Sequence, residues 1–147
     1  GEKPLSPASK ADGSVSVKKV TVNYSAPSKR IRVIMGELVP YGKVWRTGAN
    51  AATTLETEAD LLVGDLRIPA GKYTLFTIPG EKEWTLIVNK QTGQWGTRYD
   101  ESQDLGRVKM KVKPVKDTVE TFAIDVKSDA LMMTWENTQA SVPLKVQ

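Results

Sequence analysis

Residues 107–113 read RVKMKVK, and they decide the fold class because basic and apolar side chains alternate there without exception. Successive side chains of a β-strand point to opposite faces, so the pattern predicts a strand with Val108, Met110 and Val112 buried and a row of cations about 7 Å apart on the other face. Such cations could meet an acidic partner or lipid headgroups. We interpret them as a solvated face, because exposed lysines also keep sheet edges from pairing.

The same period of two recurs in short runs on both sides of this stretch, separated by Gly, Pro, Asn or Asp. Residues 61–68 predict a hairpin with a tight turn at Gly64, and residues 72–89 predict a second hairpin. About eight to ten short strands result. The sequence therefore predicts an all-β protein, an antiparallel β-sandwich of jelly-roll type, with an up-and-down β-barrel as the runner-up.

Three further features of strand organisation follow from local pattern. The apolar parity of residues 15–24 changes near Lys18, which predicts a β-bulge. Ile31 and Val33 alternate with arginines and predict a short second strand. Pro143 cannot donate a ladder hydrogen bond, so we expect the last strand to lie at a sheet edge.

Length and composition limit the possible domain organisation and the possible chemistry of the protein. A chain of 147 residues fits one domain, predicted over residues 15–147, after a polar, Pro/Ser-rich and flexible N-terminal tether over residues 1–14. Such a tether is typical of the segment that follows a removed export or lipoprotein signal, although a disordered tail of a cytoplasmic protein looks the same. Because the sequence has neither cysteine nor histidine, disulfides, thiol nucleophiles, Cys/His zinc sites and histidine acid–base chemistry are excluded.

The charge is unevenly distributed along the chain. Residues 1–50 contain nine of the 21 Lys/Arg and three of the 17 Asp/Glu, so basic character belongs to the N-terminal third. Nucleic-acid binders concentrate basic residues in a patch interleaved with aromatics, and no such patch or motif is present here. We therefore expect no nucleic-acid partner.

Residues 37–54, ELVPYGKVWRTGANAATT, form the longest irregular region and concentrate aromatic and hydrogen-bonding side chains between glycines. An indole stacks on a sugar or base, while Arg and Asn donate directional hydrogen bonds to hydroxyls or an anion. A second irregular region, residues 90–103, contributes one more indole. The candidate ligand-binding residues are Tyr41, Lys43, Trp45, Arg46, Asn50 and Trp95. The alternative is structural, with the aromatics closing one end of the sandwich and Arg46 bonding loop carbonyls.

The motifs VPYGKVWRTGANAATT (residues 39–54), IPAGKYTLFTIP (residues 68–79) and QWG (residues 94–96) resemble, in the same order, those of the bacterial domain-of-unknown-function family 2911. The resemblance covers nearly everything after residue 14. It implies an exported, often lipid-anchored, β-rich bacterial domain, located in the periplasm or at the outer envelope. It implies no substrate, cofactor or catalytic residue, because the family has none assigned.

An enzyme without histidine or cysteine would need carboxylates or a Lys or Tyr base. Glu56 and Glu58 share a strand face about 7 Å apart, a separation compatible with inverting glycoside hydrolysis. Glu37 lies near the first loop. A calcium site would have to use Asp100, Glu101 and Asp104, although no rigid oxygen-ligand loop is visible around them. No metal or cofactor is predicted.

Together these features predict an exported, non-catalytic binding or interaction module. Its ligand would be a polar molecule, a carbohydrate or an anion, held by the loop of residues 41–50. Two alternatives stay open: a carboxylate-dependent hydrolase acting on a glycan, and a structural scaffold of the cell envelope with protein partners. A membrane tether through a removed N-terminal signal is a further expectation.

Overall fold

The structure is a computed structural model that describes residues 6–92 and 99–147, and within them it is all-β, as predicted. The nine strands are β1 Ala8–Val15, β2 Lys18–Ser25, β3 Thr54–Thr57, β4 Leu61–Val63, β5 Leu66–Ile68, β6 Gly71–Ile78, β7 Glu83–Asn89, β8 Asp104–Lys127 and β9 Ala130–Val146. One 3-10 turn, Glu101–Gln103, precedes β8. In the described part of the chain, no helix is long and apolar enough to cross a bilayer.

All nine strands belong to one antiparallel sheet in the order β1-β2-β3-β6-β7-β8-β9-β4-β5. The sheet is not closed, so the barrel offered as the runner-up is not observed. The predicted strand number is confirmed, but the strands are not all short, since β8 has 24 residues and β9 has 17. Their shared ladder shifts register on both sides of Val119, opposite Glu136, which has a φ of 56°. Such bulges bend a strand pair, so one continuous sheet can supply both packed layers.

Close approaches between strands that are not neighbours show the layering. A Cβ added at Gly13 of β1 would lie 2.2 Å from the carbonyl oxygen of Val126 in β8. A Cβ at Gly106 of β8 would lie 2.5 Å from the side chain of Leu66 in β5. Both edges of the sheet therefore pack onto β8, where only glycine leaves enough room.

The interior between these layers is one cluster of buried apolar residues. The alternation in residues 107–113 is confirmed: Val108 and Met110 are buried, Val112 packs against the cluster, and the cations between them are exposed. Both predicted hairpins are present, and Gly64 has the positive φ, 61°, that its turn requires.

The N-terminal region differs from its prediction. Residues 8–15 form β1 and pair with β2 along their whole length, although residues 8–14 fall within the segment assigned by composition to a flexible tether. The change of face near Lys18 comes from a hairpin turn and not from a bulge, because Ser16 and Val17 both have positive φ. Burial of Ala11 and Val15 stabilises this strand in spite of its polar composition.

The edge position expected from Pro143 was wrong, because β9 lies between β8 and β4. In β9, pairing with β8 ends at Ser141 and pairing with β4 begins at Leu144. Pro143 lies between these two residues. Its missing N–H therefore costs no ladder bond, while its carbonyl accepts from the N–H of Gly64 at 2.8 Å.

Candidate functional site

The connection from β2 to β3, residues 26–53, carries the candidate site, and its first part is bound along β8. The N–H of Phe122 donates to the carbonyl of Pro27 at 2.8 Å, and the N–H of Lys29 donates to the carbonyl of Glu120 at 2.7 Å. The N–H of Arg30 donates to the carboxylate of Glu120 at 2.6 Å. The backbone of residues 27–30 is thus fixed to β8 by three hydrogen bonds.

A second anchor holds the turn that follows. Both carboxylate oxygens of Glu136 accept backbone N–H groups, from Ile34 and Met35, each at 3.0 Å. Ile34 is buried, whereas Ile31 and Val33 are exposed. The strand predicted for Ile31 and Val33 was wrong, because the backbone hydrogen bonds here go to carboxylates and turn carbonyls instead of a neighbouring strand.

The later part of the connection runs beside β6. Trp45 and Thr77 exchange both backbone hydrogen bonds, at 2.7 and 3.0 Å, and the N–H of Leu75 donates to the carbonyl of Thr53 at 2.9 Å. Between these two anchors, residues 46–52 leave the sheet as a loop. The loop has an internal brace, since Thr53 Oγ1 donates to the carbonyl of Thr47 at 2.7 Å.

Trp45 joins this loop to an aromatic group in the core. Its ring lies 5.0 Å from that of Phe122 and 6.0 Å from that of Trp84, both edge-on, and 6.0 Å from that of Trp135 in a stacked arrangement. These three partners are buried, while Trp45 is half-buried. One side of the Trp45 ring therefore belongs to the core and the rest is left to line a surface depression.

That depression, here called the arginine cleft, has a volume of about 290 Å³. Its walls combine three guanidinium-bearing residues and two hydroxyls with the indoles of Trp45 and Trp135. The lining residues are Ser6, Pro27, Ser28, Arg30, Arg32, Leu38, Val39, Trp45, Arg46, Gly48, Ala49 and Trp135. None of them is a carboxylate, so the cleft is a site of positive charge beside flat apolar surface.

The three arginines of the cleft differ in how they are held. The guanidinium of Arg32 donates to the carbonyls of Ser28 and Lys29, at 2.5 and 3.1 Å, which fixes its position. The side chains of Arg30 and Arg46 form no hydrogen bond or ion pair with any residue in the described ranges. Two sets of guanidinium donors are thus left for solvent or a ligand.

A second depression of about 370 Å³, the apolar cleft, lies on the other side of Trp45 and Arg46. Its lining residues are Leu38, Pro40, Val44, Trp45, Arg46, Phe76 and Tyr99. The hydroxyl of Tyr99 donates to Asp104 at 2.6 Å and accepts from Arg107 at 3.0 Å. Burial, and then the hydrogen bond to Asp104, raise the pKa of Tyr99, so this phenol stays protonated and closes one wall of the cleft.

Of the residues that the sequence singled out, Trp45 and Arg46 come together in the arginine cleft. Asn50 is at its rim, where its side-chain amide donates to the carbonyl of the lining residue Ser6 at 3.4 Å. Tyr41 and Lys43 line neither cleft. Trp95 lies outside the described residues.

Tyr41 has a different environment from the one expected of a ligand-stacking residue. Its ring packs over Gly36, where an added Cβ would be 3.0 Å away, and 42% of the side chain is exposed. Burial, followed by the carboxylates of Glu81 and Glu136, raises the pKa of Tyr41. Tyr41 therefore lies near two carboxylates, and it is not part of the arginine cleft.

Sequence reasoning missed Arg30, Arg32, Ser28 and Trp135 as members of the site. The first two were interpreted as the polar face of a strand, and Trp135 as core. Their neighbour in the chain, Pro27, does end β2, but no local signal shows that the backbone then adopts a φ of 58° at Arg30. That conformation, uncommon outside glycine and Asn/Asp, is part of what separates this segment from a regular strand.

The carboxylates proposed for hydrolysis lie elsewhere. Glu56 and Glu58 line a polar depression of about 350 Å³ on the face of β1, β2 and β3, together with Lys10 and Lys19. Glu37 is exposed in the turn after Met35. No aromatic wall or third carboxylate lines that depression in the described residues, so the geometry is that of a solvated sheet face.

The carboxylates weighed for calcium are occupied by protein donors. Asp100 caps the 3-10 turn by accepting from Ser102, and Glu101 accepts from Arg107. Asp104 accepts from Asn89 as well as from Tyr99. Within residues 6–92 and 99–147 no three carboxylates converge on a metal position. These groups fix the start of β8.

Comparison with known proteins yields one match. A family model described as a protein of unknown function, DUF2911, matches residues 6–144. No curated protein and no solved structure matches the chain.

Proposed function

We propose that this chain, which belongs to the DUF2911 family of proteins of unknown function, is a binding module that holds a small polar ligand carrying an acidic group. The family resemblance seen in its loop motifs is confirmed by the match over nearly the whole chain. Since the family description assigns no activity, the proposal rests on the arginine cleft alone.

The observation that carries the proposal is a pair of guanidiniums, beside an indole surface, that have no partner among the residues that the structure describes. Arg30 and Arg46 present donors in the planar fork that matches a carboxylate or phosphate. Arg32 is already oriented by two carbonyls, so its charge is fixed near the same space. A preformed positive cleft of this kind favours an anion over a neutral molecule.

The indoles restrict the ligand further. The half-buried Trp45 gives the cleft apolar surface, with the buried Trp135 packed against it, and such a surface suits a sugar ring or an aromatic ring. A volume of about 290 Å³ lies just below the range of roughly 300–1,000 Å³ for small-molecule sites. We therefore favour a sugar acid or sugar phosphate of about monosaccharide size.

Binding is favoured over hydrolysis by what surrounds the cleft. A glycosidase of the usual kind needs two carboxylates across the scissile bond. The residues that line the arginine cleft include none, and Glu56 and Glu58 line a different depression. An envelope scaffold, the remaining alternative, would not require an open cleft with unpartnered cations.

The test uses the intrinsic fluorescence of the protein, to which four tryptophans contribute and of which Trp45 and Trp135 line the cleft. We expect glucuronate and glucose 6-phosphate to change the emission saturably, and glucose to have a much weaker effect. Arg46→Gln should weaken binding of the acidic sugars about tenfold or more, because a charged hydrogen-bonding pair contributes about 1.5–3 kcal/mol. Arg67→Gln, an exposed arginine of β5 that lines neither cleft, is the matched control.

Equal affinity of Arg46→Gln and Arg67→Gln for the acidic sugars would overturn the proposal. So would equal binding of glucose and glucuronate, since the cleft charge would then have no role. If neither acidic sugar bound, the scaffold would become the better account. Following the sugars by NMR during the titration reports turnover, and loss of substrate signal would mean an enzyme.

Export is a separate proposal. It is supported by what the family resemblance implies and by the polar composition of residues 1–7, which precede β1. Fractionation of cells that express the natural gene, with detection by an antibody to this domain, tests it. Recovery with cytoplasmic markers would contradict export.

A further inference from the structure

An unusual number of large apolar side chains are exposed on one segment, residues 31–44. Ile31 is fully exposed at 101%, Val33 is 60% exposed, and Leu38 and Val44 are 46% and 41% exposed. Isolated exposed aliphatics are common, but several on one segment mark an interaction site. Elsewhere in the described chain the only side chain of this class is Val17, in the β1–β2 turn.

These side chains are neighbours in space. The N–H of Leu38 donates to the carbonyl of Val33 at 3.2 Å, which closes the turn between them. Leu38 and Val44 line the apolar cleft together. Leu38 also lines the arginine cleft with Arg30 and Arg32, which flank Ile31 in the chain. The four aliphatics therefore form one surface, here called the loop surface.

The loop surface is basic as well as apolar. Residues 29–46 contain five cations and one acidic residue, Glu37. The cations are Lys29, Arg30, Arg32, Lys43 and Arg46. Two further glutamates, the exposed Glu120 and the half-buried Glu136, accept backbone N–H groups of that same segment. Tyr41 adds a half-exposed phenol, a side chain suited to the boundary between water and lipid.

We propose that the loop surface docks this protein on a membrane containing anionic lipids. The aliphatic side chains would enter the boundary between headgroups and acyl chains, while the arginines and lysines remain among the lipid phosphates. Alternation within residues 30–33, Arg-Ile-Arg-Val, favours lipid over protein, because a protein interface concentrates apolar residues at its centre and charges at its rim. A fluid headgroup layer accommodates both side by side.

Docking and ligand binding share Arg30, Arg32 and Arg46 but differ in the other side chains that they use. Docking also needs Ile31 and Val33, which line neither cleft, whereas ligand binding also needs the indoles. Each cation near an anionic surface contributes about a fivefold gain in membrane partitioning, and added salt weakens that gain by screening. The two properties can therefore be separated by mutation.

The experiment is co-sedimentation of the protein with large unilamellar vesicles, of phosphatidylcholine alone or with one quarter phosphatidylglycerol. We expect the protein to sediment with the anionic vesicles and much less with the neutral ones. The double variant Ile31→Ser/Val33→Ser should bind the anionic vesicles about tenfold more weakly. Val17→Ser, the same change at an aliphatic 90% exposed in the β1–β2 turn, is the matched control and should bind like the wild type.

Failure of the wild type to sediment with anionic vesicles would overturn the proposal in favour of a protein partner. Unchanged sedimentation of Ile31→Ser/Val33→Ser would overturn the role of the aliphatics. An equal loss in Val17→Ser would show that the loop surface is not the site. Because both mutated side chains are exposed, thermal unfolding should be unchanged, and the double variant should bind glucuronate as the wild type does.

Discussion

The indoles of Trp45 and Trp135 lie stacked, with ring centroids 6.0 Å apart and planes 17° apart. The first belongs to the long β2–β3 connection and the second to β9, so this contact joins the loop to the sheet. The Nε1–H of Trp135 donates to the carbonyl of Glu120, which also accepts from the N–H of Lys29. The wall of the arginine cleft is thus continuous with the core, and changes at Trp45 affect both.

Trp45→Ala should destabilise the fold by about 3 kcal/mol or more, because it removes three ring contacts and leaves a cavity. Arg46→Gln, which removes no partner in the described part of the chain, should change stability by less than about 0.5 kcal/mol. Urea unfolding of both variants checks this, and equal stability of the two would contradict the aromatic packing.

Glu136→Ala should cost about 2–4 kcal/mol, since the buried N–H of Ile34 and that of Met35 would each lose a charged acceptor. Glu136→Gln keeps one carbonyl oxygen and should cost about half as much. Glu58→Ala, an exposed carboxylate, is the control and should cost less than about 0.5 kcal/mol. The midpoints of urea unfolding report the differences. If Glu136→Ala matched Glu58→Ala, the anchor of this turn would lie elsewhere.

Two glycine substitutions separate lack of space from backbone strain. Gly13→Ala should cost more than about 2 kcal/mol, because its Cβ would lie 2.2 Å from the carbonyl oxygen of Val126 and force β1 from β8. Gly42→Ala meets no atom within 4 Å, but its φ of 80° should still cost about 1–2 kcal/mol. Calorimetric melting of both variants tests the order of these costs. A harmless Gly13→Ala would show that β1 does not pack on β8 in solution.

Stability should fall as the pH rises above about 10. Burial and the hydrogen bond to Asp104 raise the pKa of Tyr99 in the folded state, so the unfolded chain releases this proton first. The contribution is complete below the unfolded pKa and is lost as the pH rises through the folded one. The free energy of unfolding, measured with urea, should therefore decline less steeply between pH 9 and pH 11 in Tyr99→Phe than in the wild type. The two proteins contain the same lysines, so the difference reports Tyr99. Equal slopes of the free energy of unfolding against pH in the two proteins would contradict a raised pKa of Tyr99.

Strand type and local turns were predictable because they depend on neighbouring residues. Alternation in residues 107–113 and the positive φ at Gly64 are local properties, and the structure has both. Pro114 does not end β8, which continues past it through bulges. A pair of bulged strands long enough to serve both layers is a tertiary solution, and the sequence does not distinguish it from two separate sheets.

Only part of the arginine cleft was predictable from sequence, because its residues come from distant parts of the chain. Trp45 and Arg46 lie in a glycine-rich loop whose composition indicates a site. Arg30 reaches the cleft because Glu120 and Glu136 hold its segment against the sheet, and Trp135 reaches it from β9. Those partners are distant in sequence, so no pattern along the chain brings them together.

The most direct test of the arginine cleft is a heteronuclear NMR titration with glucuronate that follows backbone amides, arginine Nε–H groups and indole Nε1–H groups. We expect glucuronate to cause saturable chemical-shift changes concentrated at Arg30, Arg46 and Trp45. Residues of the polar depression around Glu56 should not shift, and equal concentrations of glucose should cause no response. Shifts centred on Glu56, or equal shifts with glucose and glucuronate, would contradict this expectation.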